Sequence, residues 1–472
     1  MTFGFKKGEN MAVEIKKRNP EVSNADLLNM VRANASAEYK RRVPEALQPG
    51  QDGSVQVLNT IGQALYTWNP LRNYFYPAFY NLIAVQIGKN KIYDNQLRMF
   101  KIGLVQEGEG ISEYYVDTTR AHNYSPDTAY QTWMKREKSD IYSAFHHMNF
   151  QKFYKDTISK QNLKLAFLSW EALDNLIEKI NQSLWTTCNW HEYLIMKHML
   201  GRAMLNGVMA PIEAPAFTWE NAKKVTALIR QTSNDMEQMS RKRNQARVNN
   251  FTDKDRQVVV LNTASESIID VEVMAAAFNK PYVDFLAWNR VTLTSFTMEE
   301  EEELVKLFEE DNYNVDFLPF TQEEINKLNS VPGAIISKDW FVVADNLLEW
   351  NSTPVNNEGL YYNNTLHKWS TFSISPFEEA VVFTPGTPSV TSVSIIPAAM
   401  TAPPSATVHF ESKVETENFA SKVVTWESDN ENVIVAQDGT VTIGNNATGT
   451  ANIKITSVFD PTKTVTAVLT IA

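Results

Sequence analysis

The stretch KVVTWESDNENVIVAQDGTVTIGN, residues 422–445, settles the class of the C-terminal part of the chain. Val424, Trp426 and Ser428 share one parity, Val423, Thr425 and Glu427 the other, and the pair Asp438-Gly439 precedes a further alternating run. Alternation with period two around an Asp-Gly turn is the pattern of half-buried strands joined by a tight connection. It continues outward on both sides. Val408, Phe410 and Val414 oppose His409, Glu411 and Lys413; Ala451, Ile453 and Ile455 oppose Asn452, Lys454 and Thr456; Val465, Ala467, Leu469 and Ile471 close the series. Six or so short strands predict a sandwich of about 80 to 90 residues. Before it, TPGTPSV (384–390) reads as a stiff, non-helical linker, so residues 385–472 are expected to fold independently.

Upstream the text changes character. Residues 1–60 are polar and helical in tendency, with NADLLNMVRANASAEYKRRV (24–43) predicting one short amphipathic helix before the break QPGQDGS (48–54). MFKIGLV (99–105), QEGEG (106–110) and ISEYYVDT (111–118) read as a projecting hairpin whose turn is Glu107, Gly108, Glu109 and Gly110. Leu163, Phe167, Trp170, Leu173, Leu176, Ile177, Ile180 and Leu184 recur at helical spacing over 162–185, and a second helical run follows at 189–206. Between about 215 and 340, helices alternate with short strands such as RQVVVLN (256–262). Thr297 with Glu300 and Thr321 with Glu324 match capping boxes. After KDWFVVADNLLEW (338–350) the chain reads as strands to Phe383.

The residue types that carry chemistry form no recognisable catalytic or metal-binding pattern. His191 and His198 in WHEYLIMKH stand seven apart, whereas a zincin needs His-Glu-x-x-His and position 195 is Ile. His146 and His147 are adjacent and point apart on any regular element. The glutamates 299–303 fan around a helix and suit its N-terminus better than a cation. RKRNQAR (241–247) is one basic run in an acidic chain, which suits an exposed loop or a subunit salt bridge. No Gly-x-Ser-x-Gly elbow or dinucleotide fingerprint is present, and the single cysteine, Cys188, can form neither an intrachain disulfide nor a thiolate metal site. A net charge of -11 disfavours non-specific nucleic-acid binding. The first twenty residues carry lysines and no continuous apolar run, and no window offers the ~18 apolar residues of a membrane span, so a cytoplasmic site of assembly is expected.

Two sets of segments resemble known families. SVSIIP, VTWESDNENVIVAQDGTVT and GTANIKITS are similar to the group 2 bacterial immunoglobulin-like domain. KFYKDTISKQNLKLAFLSWEAL (152–173), DVEVMAAAFNKPYVDFL (270–286) and SKDWFVVADNLLEWNSTPVNNEGLYYNNTLHKWSTFSISPFEEAVVF (337–383) resemble the major capsid protein of short-tailed bacteriophages of the phi-29 type. The resemblance runs with gaps from about residue 39 to the C-terminus and departs from the pattern around 293–330.

It implies an α+β chain: a Hong Kong 97-type capsid fold followed by an all-β immunoglobulin-like sandwich. It further implies an N-terminal arm (1–60), a capsid domain (61–384) with an extended loop (about 95–150), a spine helix (within 162–208), an axial domain (about 215–338) and a return to the peripheral domain (339–383), then the sandwich (385–472). The expected partners are copies of itself in hexamers and pentamers, a scaffolding protein, a portal, packaged DNA lying near without sequence-specific binding, and host surface glycans. No catalytic residue, metal, cofactor or membrane is implied. Glu107, Gly108, Glu109 and Gly110 are the candidate assembly contact. A surface adhesin or carbohydrate-binding protein is the alternative that the immunoglobulin-like module allows.

Overall fold

A computed structural model of the chain describes residues 24–67, 93–105, 110–119, 121–124, 126, 134, 136, 138–159, 167–168, 170–269, 289–297, 301–309, 317–352, 356, 358–359 and 361–472. The chain divides into two compact units, one of residues 1–92, 153–186 and 349–366, the other of 93–152, 187–348 and 367–472. The helices used below are α1 (Asn24–Asn34), α2 (Ala37–Arg42), α3 (Ser54–Thr67), α4 (Trp170–Leu205), α5 (Ala222–Met236), α6 (Thr263–Ile269), α7 (Glu301–Glu309) and α8 (Gln322–Asn329). The strands before the terminal module are β1 (Lys101–Leu104), β2 (Ile111–Val116), β3 (Ile141–His146), β4 (Phe150–Ser159), β5 (Ala210–Glu213), β6 (Gln257–Asn262), β7 (Arg290–Leu293), β8 (Gly333–Ser337), β9 (Phe341–Ser352), β10 (Tyr361–Ile374) and β11 (Ala380–Thr384).

In the first unit, the helix expected over 24–43 is two helices. Ser36 breaks it, because its hydroxyl accepts the Tyr39 N–H at 3.3 Å and so starts α2 afresh. The side chain of Asn29 then clamps the backbone of Ala46 through two hydrogen bonds, 2.9 and 2.8 Å, and Arg32 Nε donates to the Val43 carbonyl at 2.9 Å. Leu28, Val31, Tyr39 and Val43 are buried by this folding-back.

The second unit is built on a five-stranded sheet in the order β5-β11-β8-β6-β7. Its central strands are apolar on both faces, which accounts for the continuous runs VVVL, AII and AVVF in place of alternation. Val258, Val260, Ala334, Ile336, Ala380 and Val382 join the core that contains Leu194, Met196, Leu200 and Met204 of α4. The intervening Val259, Leu261, Ile335, Val381 and Phe383 pack with Val225, Ile229 and Met236 of α5. The sheet is therefore the middle of three layers.

Two helices were expected over 162–206, yet α4 is a single helix of 36 residues, about 54 Å long at the α-helical rise. The TTCN segment (186–189) contains neither glycine nor proline, and Leu184 and Cys188 carry the buried spacing straight through it. From His191 to His198 every residue is buried, so this part of the helix is covered all round and has no polar stripe to read.

The hairpin expected from 99 to 118 has different partners. β1 pairs in parallel with β9, Lys101 opposite Val343, and β2 pairs antiparallel with β3, from Ile111 opposite His146 to Val116 opposite Ile141. Residues 106–110 thus join two sheets, and the antiparallel hairpin is closed by 117–140. The glycine signal is local, whereas β1 is drawn away by the parallel ladder with β9. Of the two capping boxes, Thr321 and Glu324 make both reciprocal bonds at the start of α8; Glu300, needed for the other, lies outside the described residues.

The terminal module has nine strands where six or so were expected: β12 (Ser389–Ile396), β13 (Ala399–Ala402), β14 (Thr407–His409), β15 (Glu411–Glu417), β16 (Val424–Ser428), β17 (Val433–Val435), β18 (Thr440–Ile443), β19 (Gly449–Ser457) and β20 (Thr464–Ile471). The additional ones span three or four residues, too few for a period to show. Its main sheet runs β13-β20-β19-β16, and Trp426, Phe410, Val441, Ile453, Ile455 and Leu469 fill a core of its own. Gly439 (φ +88) closes the Asp-Gly turn in the left-handed region, where an added Cβ would stand 2.1 Å from the Phe410 carbonyl oxygen.

The module is seated on the second unit's body as well as joined to it. Phe419 is buried within the core of the body, among the α4 and β8 side chains. At the seat, Gly207 ends α4 with φ +66: its N–H bonds the Met204 carbonyl and the Val208 N–H bonds that of Ala203, a Schellman closure. A Cβ on Gly207 would meet the Ala420 carbonyl oxygen at 2.5 Å and Ser421 Cα at 2.8 Å. Gly207→Ala is therefore expected to cost about 2 kcal/mol or more, through both backbone and contact. Gly449→Ala, with φ +81 and nothing within 4 Å, should cost only the backbone part. Thermal unfolding of the two variants checks this, and equal losses would contradict the seating.

Candidate assembly surfaces

The β2–β3 ribbon has two unlike faces. On one, Tyr114, Val116, Ile141 and Phe145 are exposed at 67, 58, 67 and 59 per cent, with the Tyr114 and Phe145 rings edge to face at 6.3 Å. Four large apolar side chains on one exposed face form an uncovered apolar patch of the kind that marks interaction surfaces. The other face is tied down. His146 makes a 2.7 Å hydrogen bond to Ser373 Oγ and lies 3.2 Å from Glu113, and Tyr115 stacks on Phe377 with centroids 5.9 Å apart.

At the end of the ribbon where the 117–140 connection begins, Asp117 receives the Thr118 N–H at 2.7 Å, Arg241 at 2.8 Å and Asn249 at 3.1 Å, while the Tyr115 hydroxyl donates to the Asn249 carbonyl. The Thr118 amide first, and Arg241 with Asn249 after it, hold the Asp117 carboxyl below its usual range. The loop that supplies these groups is itself braced. Ser240 and Asn250 bridge in antiparallel fashion, the Asn244 side chain spans to Val248, and Arg243 lies 3.1 Å from the fully buried Glu379.

The body also holds a buried cluster of four charges. Lys101 Nζ lies 2.8 Å from Glu192 and 2.5 Å from Asp345; Lys368 Nζ contacts Glu192 and lies 4.0 Å from Asp345. Asn95 donates to Glu192 at 3.0 Å and Ser370 to Asp345 at 2.8 Å, so both carboxylates have neutral donors as well. Burial alone would raise the Glu192 carboxyl, but Lys368 and Lys101 outweigh it and hold it at about 2.

The remaining chemical candidates are accounted for structurally. His191 pairs with Glu303 at 2.9 Å. His198 lies between Phe317 and Phe320, each 4.5 Å away, and burial lowers it to about 4. Cys188 is buried, and that burial pushes its thiol up. Among the described residues no three histidine, cysteine or carboxylate side chains gather as a metal would need, and no helix there is long and apolar enough to cross a membrane. Glu107, Gly108 and Glu109 lie outside the described residues; Gly110 is exposed at the entry to β2, where a Cβ would stand 3.2 Å from the His146 carbonyl oxygen. Sequence reasoning missed the apolar face of the ribbon, whose signal was the presence of apolar residues on both parities of ISEYYV. It also missed the four-charge cluster, for which no local signal exists.

The model of the Phi29-like phage major capsid protein family matches residues 28–384. The chain belongs to that family. A second match, to the group 2 bacterial Ig-like domain, covers 389–467. The chain is 24% identical to the major capsid protein of Bacillus phage PZA over 440 residues, covering 91% of this chain and 89% of that one. It is 25% identical to the major capsid protein of Bacillus phage B103 over 441 residues, with the same coverage. Among solved structures, the capsid of Staphylococcus phage Andhra is similar with a TM-score of 0.47 and 13% identity, over 63% of this chain and 86% of that one. As a Phi29-like major capsid protein the chain combines a phage capsid domain of mixed helices and strands with an all-β terminal domain, and it builds the virion shell of a tailed phage from copies of itself. The family is one of structural capsid proteins.

The charge cluster makes a prediction with a defined sign. Because Glu192 titrates lower in the folded chain than the ordinary glutamate near 4.5, its stabilisation is present above that range and fades as pH falls toward 2. Glu192→Ala leaves two buried ammonium groups without this partner and should cost about 3–5 kcal/mol near neutral pH. Near pH 3 the loss should be smaller. Urea unfolding at both pH values measures it, and a loss independent of pH would contradict the assignment.

Proposed function

We propose that the chain tiles its shell by laying the apolar face of the β2–β3 ribbon on a neighbouring copy. The exposed quartet Tyr114, Val116, Ile141 and Phe145 carries this reading. Burying each such side chain contributes on the order of 1.5–3 kcal/mol, and a closed lattice repeats the contact around every capsomer. The brace between Asp117 and Arg241 supports the same reading, since a ribbon ordered before it binds loses less entropy on docking.

In this scheme residues 1–60 form the arm, about 95–150 the extended loop, 162–208 contain the spine, about 215–338 form the axial domain, 339–383 return to the peripheral domain and 385–472 decorate or brace the capsomers. The Glu107–Gly110 turn is a second contact between copies. Hexamers and pentamers assemble in the host cytoplasm on a scaffolding protein around a portal, and the net negative charge lets packaged DNA lie close without sequence-specific binding.

The test is the double variant Tyr114→Ser, Phe145→Ser. Both side chains are exposed in the subunit, so unfolding of the monomer should shift by no more than about 0.5 kcal/mol. Shells or capsomer rings seen by electron microscopy and sedimentation should be lost. Normal shells from the double variant would overturn the proposal.

A further inference from the structure

The basic loop 241–247 serves the ribbon and Glu379 with Arg241 and Arg243, which leaves two cations to explain. Lys242 and Arg247 line a cleft of about 430 Å³ where the body meets the terminal module, opposite Val423, Val458 and Phe459 and above Val208 and Ile212. Among the described residues neither side chain meets a carboxylate, and no acidic residue lines the cleft. Arg247 is half-buried and sits in the left-handed region (φ 55), a backbone state that ordinary residues adopt only when their surroundings impose it. Burial alone lowers its guanidinium from the usual range, with no carboxylate opposing the shift. A half-buried cation without a counterion is costly, and an anion in the cleft would relieve that cost.

The apolar wall argues against a nucleic-acid backbone, which has no apolar side chain to place there, and for a peptide bearing carboxylates beside small or apolar residues. Within this acidic chain the glutamates at 301 and 303 are already engaged, Glu301 by the Phe320 amide at 2.5 Å and Glu303 by Trp190 and His191. The turn Gln106–Gly110 has the required composition. Its two carboxylates, Glu107 and Glu109, are separated by one residue. Glycines stand at 108 and 110, and Val105 and Ile111 flank the segment.

We propose that this cleft receives the acidic turn Gln106–Gly110 of a second copy of the chain, with Lys242 and Arg247 taking the carboxylates of Glu107 and Glu109. The proposal rests on the reading of that turn as a subunit contact and names its receptor. It would place one contact of each neighbour against both the body and the terminal module, so that the neighbour holds the two together.

The test uses a labelled peptide of sequence LVQEGEGIS (104–112), titrated onto the full-length subunit by fluorescence anisotropy, with a short DNA duplex as a separate probe. Lys242→Glu and Arg247→Asn, the latter chosen because asparagine tolerates the left-handed backbone, should each weaken peptide binding about tenfold while leaving the melting temperature unchanged. In assembly assays Lys242→Glu should be impaired and should be rescued by Glu107→Lys with Glu109→Lys. If the turn variants impair assembly but Lys242→Glu and Arg247→Asn do not, the turn is a contact and this cleft is not its receptor. If the turn variants assemble normally, the contact reading itself fails. Binding of the duplex but not of the peptide, with loss on Arg247→Asn, would replace the proposal with a nucleic-acid site.

Discussion

Glu192, held in the interior between two ammonium groups, fixes the relation of four segments that are far apart in the chain. It lies on α4; its partners come from β1 through Lys101 and from β10 through Lys368, and Asp345 of β9 completes the set. Apolar packing alone would let a long helix slide or rotate over a sheet at modest cost, because neighbouring arrangements bury similar area. A carboxylate with two cations and an amide donor cannot slide without leaving charge buried and unpaired. The cluster therefore sets the register of α4 against a second sheet, of order β1-β9-β10-β4, and it ties β1 to its neighbour β9 through Lys101 and Asp345.

β2 pairs instead with β3, as a ribbon whose inner face is tied to the body. The 240–250 loop holds the ribbon at its 117–140 end, receives Glu379 in its middle and faces the terminal module with its remaining cations. Phe419 and the Gly207 turn seat the module from the other side. Ribbon, body and module meet at one loop, so a neighbour that grips the ribbon is mechanically close to the module. A shell that must resist outward force gains from such a short path between its contacts.

Much of this was legible from residue order. The alternation around Trp426 and the Asp438-Gly439 turn gave the module its sheet, because each strand there buries one face. The segments between 337 and 383 carried the family resemblance. What stayed hidden has physical reasons. Between His191 and His198 α4 is buried on every side, so its text lacks a polar stripe, and the pause at TTCN suggested an end that tertiary packing overrides. The glycines at 108 and 110 pointed to a local hairpin, while the ladder of β1 with β9 spans more than two hundred residues and leaves no mark on neighbouring positions. Lys101, Glu192, Asp345 and Lys368 look like surface residues in sequence and become a centre only in space. The apolar face of the β2–β3 ribbon was not foreseen, since Tyr114 and Phe145 belong to strands that were not recognised as partners.

The central claim is that the exposed ribbon face is made to be covered by another copy. A cryo-electron microscopy reconstruction of shells formed by the purified chain tests it most directly. The account predicts Tyr114, Val116, Ile141 and Phe145 buried against a neighbouring subunit at every position of the lattice. A closed shell in which that face remains open to solvent would contradict it.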